Sequence, residues 1–292
     1  MTADSLQRDN LAGVIVLYNP DSSTIDNIKT YVNYLAHLYV VDNSEAHNAE
    51  LIDTMLSISN KITYHPFGEN IGIATALNKG CQFAAGHGYK WILTMDQDSY
   101  FANGDFFSGV FDRVYTDTAV IAASYNNIHF RPGVSAYPAL LEVDYVITSG
   151  NILNIAAWQI LGGFTDKLFI DEVDNEFCIR AKNKGFKILV SESIYLKHKL
   201  GDGFKAKHVL TRKELTLTKH SPLRVYYTVR NNLYMWRKFA FSNCSFVANR
   251  VKNIIYLVFK ILLYFPEKRV YFSYIGKAIN DSFRGKYGKF SK

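Results

Sequence analysis

Four times in the first hundred residues a short apolar run alternates with helical spacing, and this alternation limits the fold more than any other feature. The runs are residues 13–18, closed by Asn19-Pro20; 38–41, closed by Asp42-Asn43-Ser44; 61–64, closed by Pro66-Phe67-Gly68; and 90–95. Between them, residues 21–35 set Ile25, Ile28, Val32 and Leu35 on one helical face, and 46–58 and 71–85 read as two further helices. A β-α-β-α-β-α-β order calls for a parallel sheet with right-handed crossovers. Sheets of this kind bind ligands outside the carboxyl ends of their strands. Tyr18-Asn19-Pro20, Asp42, Glu69-Asn70 and Asp96-Gln97-Asp98 are therefore expected on one rim.

The fourth run ends in two carboxylates one residue apart, Asp96 and Asp98. In an extended chain residues i and i+2 point the same way, so the pair would face one point and Gln97 the opposite side. Two convergent oxygen ligands suit a divalent cation that also holds phosphate oxygens. Asp-x-Asp also occurs in solvated turns for purely local reasons.

A second constellation is Phe169-Ile170-Asp171-Glu172-Val173-Asp174-Asn175-Glu176-Phe177-Cys178-Ile179-Arg180, with four acids in six positions at a helix start. Acids there oppose the helix dipole favourably. Four exceed what capping requires, and mutual repulsion among carboxylates raises their pKa values and makes a base. His198 ends a short strand further on, where it reads either as a third metal ligand or as a structural imidazole.

Beyond residue 100 the pattern loosens. Residues 143–148 read as a strand, 156–161 as a helix stopped by Gly162-Gly163, 173–184 as a helix ending at Gly185, and 186–190 and 194–198 as short strands. A division is expected near residue 205: a catalytic domain over 1–204, with halves at about 11–100 and 101–204, and a helical region over 205–292. Charge divides similarly. From Phe204 onward there are 19 Lys and Arg against 3 Asp and Glu, a net +16, which leaves the preceding residues at −9 of the total +7. Such an asymmetry suggests different partners for the two parts. Acidic phospholipid or a pyrophosphate-bearing lipid suits the basic part, whereas no recognised nucleic-acid-binding motif is present.

Residues 254–265 form a nearly continuous apolar run broken by Lys260 and surrounded by Arg250, Lys252, Lys268 and Arg269. At 1.5 Å per residue, twelve helical residues reach roughly 18 Å, short of the roughly 30 Å hydrocarbon core. The run reads as a helix lying in the membrane interface, with residues 249–292 as the attachment region; the alternative is a core helix or one that forms a homodimer. The three cysteines show no pairing or ligand pattern and are expected to be buried thiols in a reducing compartment. Residues 1–10 lack the apolar core of a signal peptide, so a cytoplasmic location, peripheral to the inner membrane, is expected.

With these residues in view, the chain resembles the family 2 glycosyltransferases of GT-A fold, and among them the bacterial rhamnosyltransferases that use dTDP-L-rhamnose. The matching residues are Val16 to Pro20, Val41 to Ser44, Glu69 to Ala74 with Ala76 to Gly80, Leu93 to Ser99, Thr148 to Gly150, Gly162 to Phe164, Phe169 to Arg180, His198, and His220 to Arg224 followed by Tyr226-Tyr227 and Arg230-Asn231. The resemblance implies an α/β, Rossmann-like, mostly parallel sheet flanked by helices, followed by a basic helical C-terminal extension. It further implies an inverting, metal-dependent transfer of a sugar from a nucleotide-sugar donor to a saccharide acceptor, and the basic region with its interfacial apolar helix favours an acceptor carried on undecaprenyl diphosphate. Asp42 would accept from the pyrimidine base, with Tyr18, Asn19 and Pro20 around the nucleoside, and Asn70, Asn78 and Gln97 near the ribose and diphosphate. Asp96, Asp98 and His198 would hold Mg²⁺ or Mn²⁺. Asp174 would be the base, with Asp171 as its support or alternative, and Ser149, Gly150, Glu176 and Arg180 would line the acceptor side. Another donor, such as UDP-galactofuranose or a UDP-hexose, stays open.

Other classes fit less well. Phosphohydrolases of the haloacid-dehalogenase type place Asp-x-Asp on the first strand, not the fourth, and Tyr100 stands where they carry Thr or Val. The first βα turn, residues 18–23, lacks the glycine fingerprint of nicotinamide enzymes. A membrane-bound, acceptor-binding pseudoenzyme would have no need to keep Asp96, Asp98, Asp174 and His198 together.

Overall fold

The computed structural model describes residues 3–102, 107, 109–125, 140–198, 203–207 and 211–291. The chain divides into two compact units, Met1–Phe169 with Val173–Lys199, and Ile170–Glu172 with Leu200–Lys292. The division at 199/200 lies slightly ahead of the expected 204, and the second unit includes a tripeptide from the middle of the acidic segment.

In the first unit, β1 (Ala3–Ser5) precedes the alternation that the apolar runs predict: β2 (Leu11–Leu17), α1 (Ser23–Lys29), β3 (His37–Asp42), α2 (Ala49–Ser57), β4 (Ile62–Pro66), α3 (Ile73–Gly86) and β5 (Trp91–Asp96). There follow β6 (Ser99–Phe101), β7 (Val114–Thr116), β8 (Thr118–Tyr125), β9 (Leu140–Glu142), β10 (Asn151–Asn154), α4 (Ile155–Leu161), α5 (Val173–Asn183) and β11 (Lys187–His198). The main sheet runs β4-β3-β2-β5-β10-β8-β11-β6, with β9 on β11. The first four strands are parallel, β10 is antiparallel to both its neighbours, and β11 is parallel to β8. The sheet is thus mixed beyond β5, yet its β4-β3-β2-β5 half is wholly parallel.

Local chemistry explains where the expectations needed adjustment. The helix expected over 21–35 ends at Lys29, and a single 3-10 turn at Val32–Tyr34 delivers Leu35 to the core. Residues 143–148 form no strand. The strand begins instead at Asn151, after Gly150 turns the chain at φ +76 and donates its N–H to Thr94 O at 2.8 Å. The two strands expected over 186–198 are one, β11, whose pairing with β8 skips from Ser191 to Tyr195. Irregularities of this kind bend a strand. The bend lets its last residues pair with β6, which begins three residues after β5 ends.

The second unit contains the hairpin β12 (Gly203–Lys207) and β13 (Glu214–Thr218) and three helices, α6 (Pro222–Phe239), α7 (Cys244–Tyr264) and α8 (Lys268–Phe283). Arg230 is buried among the rings of Tyr226, Tyr227 and Tyr287, each centroid within 5.6 Å of its guanidinium carbon, and donates to Gly288 O at 2.7 Å. Helix α7 has 21 residues where twelve were expected, so by rise alone it reaches about 32 Å. Length therefore does not decide against a membrane span. Composition does: among the described residues no helix is long and apolar enough to cross a membrane. Helix α7 exposes Ile255, Tyr256, Phe259, Leu262 and Leu263. Cys81 and Cys178 are buried as expected, but Cys244 stands exposed at the start of α7.

Close packing of α3 on β2 depends on Gly80, where an added Cβ would come within 2.3 Å of Val14 Cγ2 and 2.6 Å of Val14 Cβ. A β-branched strand residue has no rotamer with which to withdraw. Gly80→Ala is expected to destabilise the protein by about 1–3 kcal/mol despite alanine's better helix propensity. Urea denaturation should show this as a lower midpoint, with Val14→Ala in the same chain restoring part of the loss.

Candidate active site

The parallel strands β3, β2 and β5 end at Asp42, Leu17 and Asp96. At this point the connections after β2 and β5 leave on opposite sides, the topological switch at which α/β sheets bind ligands. Gln97 joins the two strand ends. Its Oε1 accepts from Tyr18 N at 2.7 Å and its Nε2 donates to Tyr18 O at 3.1 Å, while Asn27 Nδ2 donates to Gln97 O at 2.8 Å. The chain turns at Gln97 and Asp98 instead of continuing extended, so the period-two argument for Asp96 and Asp98 does not hold. Their placement comes from a turn pinned to β2.

Two further contacts fix this corner. Asp96 N donates to the buried Ser149 Oγ at 3.1 Å, so Ser149 and Gly150 brace the end of β5. Ser99, the residue after Asp98, is paired with His198 across the β6–β11 ladder. Opposed residues in such a ladder have Cα atoms about 5 Å apart, which brings the His198 backbone beside the acidic turn; its side chain lies outside the described residues. Two carboxylates and an imidazole form a donor set of the kind Mg²⁺ or Mn²⁺ accepts. Among the described residues no cluster of three His, Cys, Asp or Glu gathers as a metal site.

Asp42 is buried at the end of β3. Burial pushes its carboxyl up, but hydrogen bonds from Ser44, Tyr64 and His47 outweigh that and hold it below the ordinary value of 3.8. Ser44 N lies 2.8 Å from Oδ1, and Tyr64 Oη and His47 Nδ1 lie 2.6 and 3.2 Å from Oδ2. Ser44 Oγ also accepts from Asn19 N at 2.7 Å, with Asn19 at φ 48. Tyr18 is 46% exposed and Pro20 follows on the same loop. The sequence reading missed Tyr64 and His47; their only signal was their position beside the predicted strand ends.

Several expected ligand-binding residues lie in the scaffold. Asn78 is buried and uses its whole side chain internally: Oδ1 accepts from Phe164 N and Trp158 Nε1, and Nδ2 donates to Phe164 O and Asp166 Oδ1. An amide has four such sites, so none remains for a ribose or diphosphate. Asn70 Oδ1 accepts from Gly72 N at 2.9 Å and shapes the turn into α3. Glu176 is fully buried and clamps Arg180 through both oxygens at 2.7 and 2.8 Å, while Arg180 also donates to Leu161 O and Gly163 O. This pair holds α5 to the end of α4. Asp174, in the first turn of α5, lines a small interior cavity of about 10 Å³ with Thr94, Thr148 and Asn151. Thr94 lies two residues before Asp96, so Asp174 reaches the same end of β5. Asp171 is engaged elsewhere, with Arg224 Nη2 at 2.6 Å and Thr228 Oγ1 at 3.0 Å from its two oxygens.

Known proteins resemble this chain in sequence and in fold. The model of the glycosyl transferase family 2 matches residues 14–141. The dTDP-rhamnosyl transferase RfbF of Shigella flexneri is 29% identical over 247 residues, covering 78% of this chain and 80% of its own. S. aureus TarS in complex with UDP-GlcNAc superposes with a TM-score of 0.50 at 14% identity, over 97% of this chain and 94% of that one. GalNAc-T7 with UDP, GalNAc and Mn²⁺ gives 0.52 at 13% identity over 65% of this chain, which spans 43% of the GalNAc-T7 chain. At such identities the two structures bear on the fold alone, and the fold is the expected GT-A type.

The carboxyl of Asp42 supplies a pH test. Its pKa is lower folded than unfolded, so the stability it contributes is present above the ordinary carboxylate range and is lost as pH falls through the lowered folded value. In urea titrations Asp42→Asn should therefore be less stable than the parent at pH 7. The difference should shrink toward zero as the pH falls below the ordinary 3.8.

Proposed function

We propose that the chain is a family 2, rhamnosyltransferase-like glycosyltransferase that moves L-rhamnose from dTDP-L-rhamnose to a hydroxyl of a lipid-linked saccharide, with inversion. The observation that carries the reading is the shared end of β5, where Asp96 and Asp98 follow Thr94 and Thr94 shares a cavity with Asp174. The likeness to RfbF supports the choice of sugar and nucleotide.

In this reading Tyr18 to Pro20 pack around the nucleoside and Asp42 faces its base from a site already rich in donors. Asp96, Asp98 and His198 hold Mg²⁺ or Mn²⁺. When bound, such a cation neutralises the diphosphate and stabilises it as a leaving group. Asp174 takes the proton of the acceptor hydroxyl. The hydroxyl oxygen bonds to the anomeric carbon from the face opposite the diphosphate as the bond to the diphosphate oxygen breaks. One displacement inverts the configuration without a covalent intermediate. Asp171, held by Arg224 and Thr228, is not proposed as the base.

The exposed apolar face of α7, with the exposed Lys252 on the same helix and Lys268 opening α8, supports attachment to an anionic membrane surface, placed by this reading at the cytoplasmic face. An undecaprenyl-diphosphate-linked acceptor suits that location. A UDP-sugar donor is the alternative within the same chemistry.

Asp174→Asn is expected to lower transfer by about 10²–10⁴-fold, the usual contribution of a positioned base, while dTDP-rhamnose still binds in calorimetry. Transfer at the parent rate would remove Asp174 from the role. Incubation with a panel of dTDP- and UDP-sugars, metal and acceptor lipid should give turnover with dTDP-L-rhamnose; selective turnover of a UDP-sugar would replace the donor. For the membrane, Phe259→Glu with Leu263→Glu should free the protein from anionic vesicles on sedimentation, since each exposed side chain withdrawn from the interface forfeits roughly 1.5–3 kcal/mol. Unaltered cosedimentation would exclude this face.

A further inference from the structure

Asn151 opens β10 in the middle of the sheet, between β5 and β8, and is only 6% exposed. Its Nδ2 donates to Ile147 O at 2.5 Å. A carbonyl oxygen can only accept, so this contact fixes which way the amide is turned. The other end of the amide, Oδ1, accepts from no protein group. Buried side-chain oxygens are nearly always hydrogen-bonded, to protein or to ordered water, and an unmet one costs stability.

The same residue lines the interior cavity that Asp174 reaches. Thr94, Thr148, Asn151 and Asp174 give that cavity a polar wall, while Val120 and Phe177 belong to its apolar remainder. The volume of about 10 Å³ is close to that of a single water-sized sphere, so one water fits and nothing larger does. Cavities that stay dry are lined by apolar groups alone.

The wall is rich in acceptors. The Thr94 hydroxyl spends its hydrogen on Thr148 O and can only accept from the cavity. Asn151 Oδ1 is an acceptor by nature, and so is an ionised carboxylate. The Asp174 carboxylate lies on this side of α5. Burial pushes the thiol of Cys178, one helical turn further on and also on the cavity wall, up to about 12, and the Asp174 charge adds to the rise. Asn175 N donates to Asp174 Oδ1 at 2.8 Å. An occupant of this space has to be small and to bring hydrogens, which describes water.

We propose that this cavity binds one water molecule, which donates one hydrogen to Asn151 Oδ1 and the other to the Asp174 carboxylate, and that Asn151 is thereby a positioning residue for Asp174. The inference rests on the reading of Asp174 as the base. Asn151 touches no substrate. It acts through the water, which holds the carboxylate from inside the fold.

The test begins with a high-resolution crystal structure of the full-length protein. One ordered water should lie within about 3 Å of both Asn151 Oδ1 and an Asp174 oxygen; no such peak, or one that meets Asn151 alone, overturns the proposal. Two variants then remove the water by different routes. Asn151→Leu replaces the amide with an apolar side chain of similar size, and Val120→Ile adds a methyl group to the wall while leaving Asn151 and Asp174 in place. Each should lack the water in its own crystal structure. Each should lower kcat by about 10–100-fold at saturating acceptor, the cost of misplacing a reacting group by about an ångström. KM for the donor should stay within about twofold, as for a loss confined to the transition state. Rates are taken per binding-competent molecule, counted by dTDP calorimetry, so a variant that folds poorly does not pass for a slow one. Parent-like kcat in a variant shown to lack the water overturns the positioning role. A fully active Asp174→Asn would instead defeat the reading of the base, whatever the crystal structure shows at Asn151.

Discussion

The two hydrogen bonds between the Gln97 side chain and the Tyr18 backbone join the ends of β2 and β5 where the sheet reverses its strand order. Everything proposed for the donor side depends on that junction. Without it, the turn after β5 and the loop after β2 would lose their direct tie to each other. With it, the same amide sets the loop after β2 and the acidic turn together. Ser149 under Asp96 and the pairing of Ser99 with His198 hold the corner from its remaining sides. A chain whose strand ends are tied this closely presents charged side chains without having to order them when ligand arrives.

The same economy of position separates residues proposed to meet ligand from residues that build the support. Asn78 and Glu176 belong to matching motifs, yet each spends its polar atoms inside the fold. Leaving such buried groups unpaired costs about 1–3 kcal/mol each, which is reason enough for them to be there. Asp42 is intermediate: buried and donor-rich, but at a strand end on the rim. Asp171 and Asp174, three residues apart, have opposite fates, one bound by Arg224 and Thr228 and the other lining a cavity beside β5.

The parallel half of the sheet was legible because local signals agree there: apolar runs of strand length, helical spacing between them, and turn residues at each junction. Its rim followed from topology. Residues 143–154 misled because an apolar stretch of β-branched residues lies just ahead of the real strand, and only the Gly150 turn, fixed by Thr94 across the sheet, decides where pairing starts. The length of α7 was underestimated because its first turns are polar and amphipathic, with Phe246 the one buried residue there. The metal-pair geometry was argued from an extended chain, whereas contacts 79 residues away along the chain make it a turn. The grip of α6 on residues 170–172 could not be read at all, since the motif around Arg224 and Asn231 carries no local sign of what it touches.

The measurement that bears most directly on the acidic turn as a metal and diphosphate clamp is Mn²⁺ binding followed by electron paramagnetic resonance, with and without dTDP. We expect bound Mn²⁺ in the parent, tightened by dTDP, and loss of both the binding and the tightening in Asp98→Ala. Equal Mn²⁺ binding by the two proteins in the presence of dTDP would contradict it.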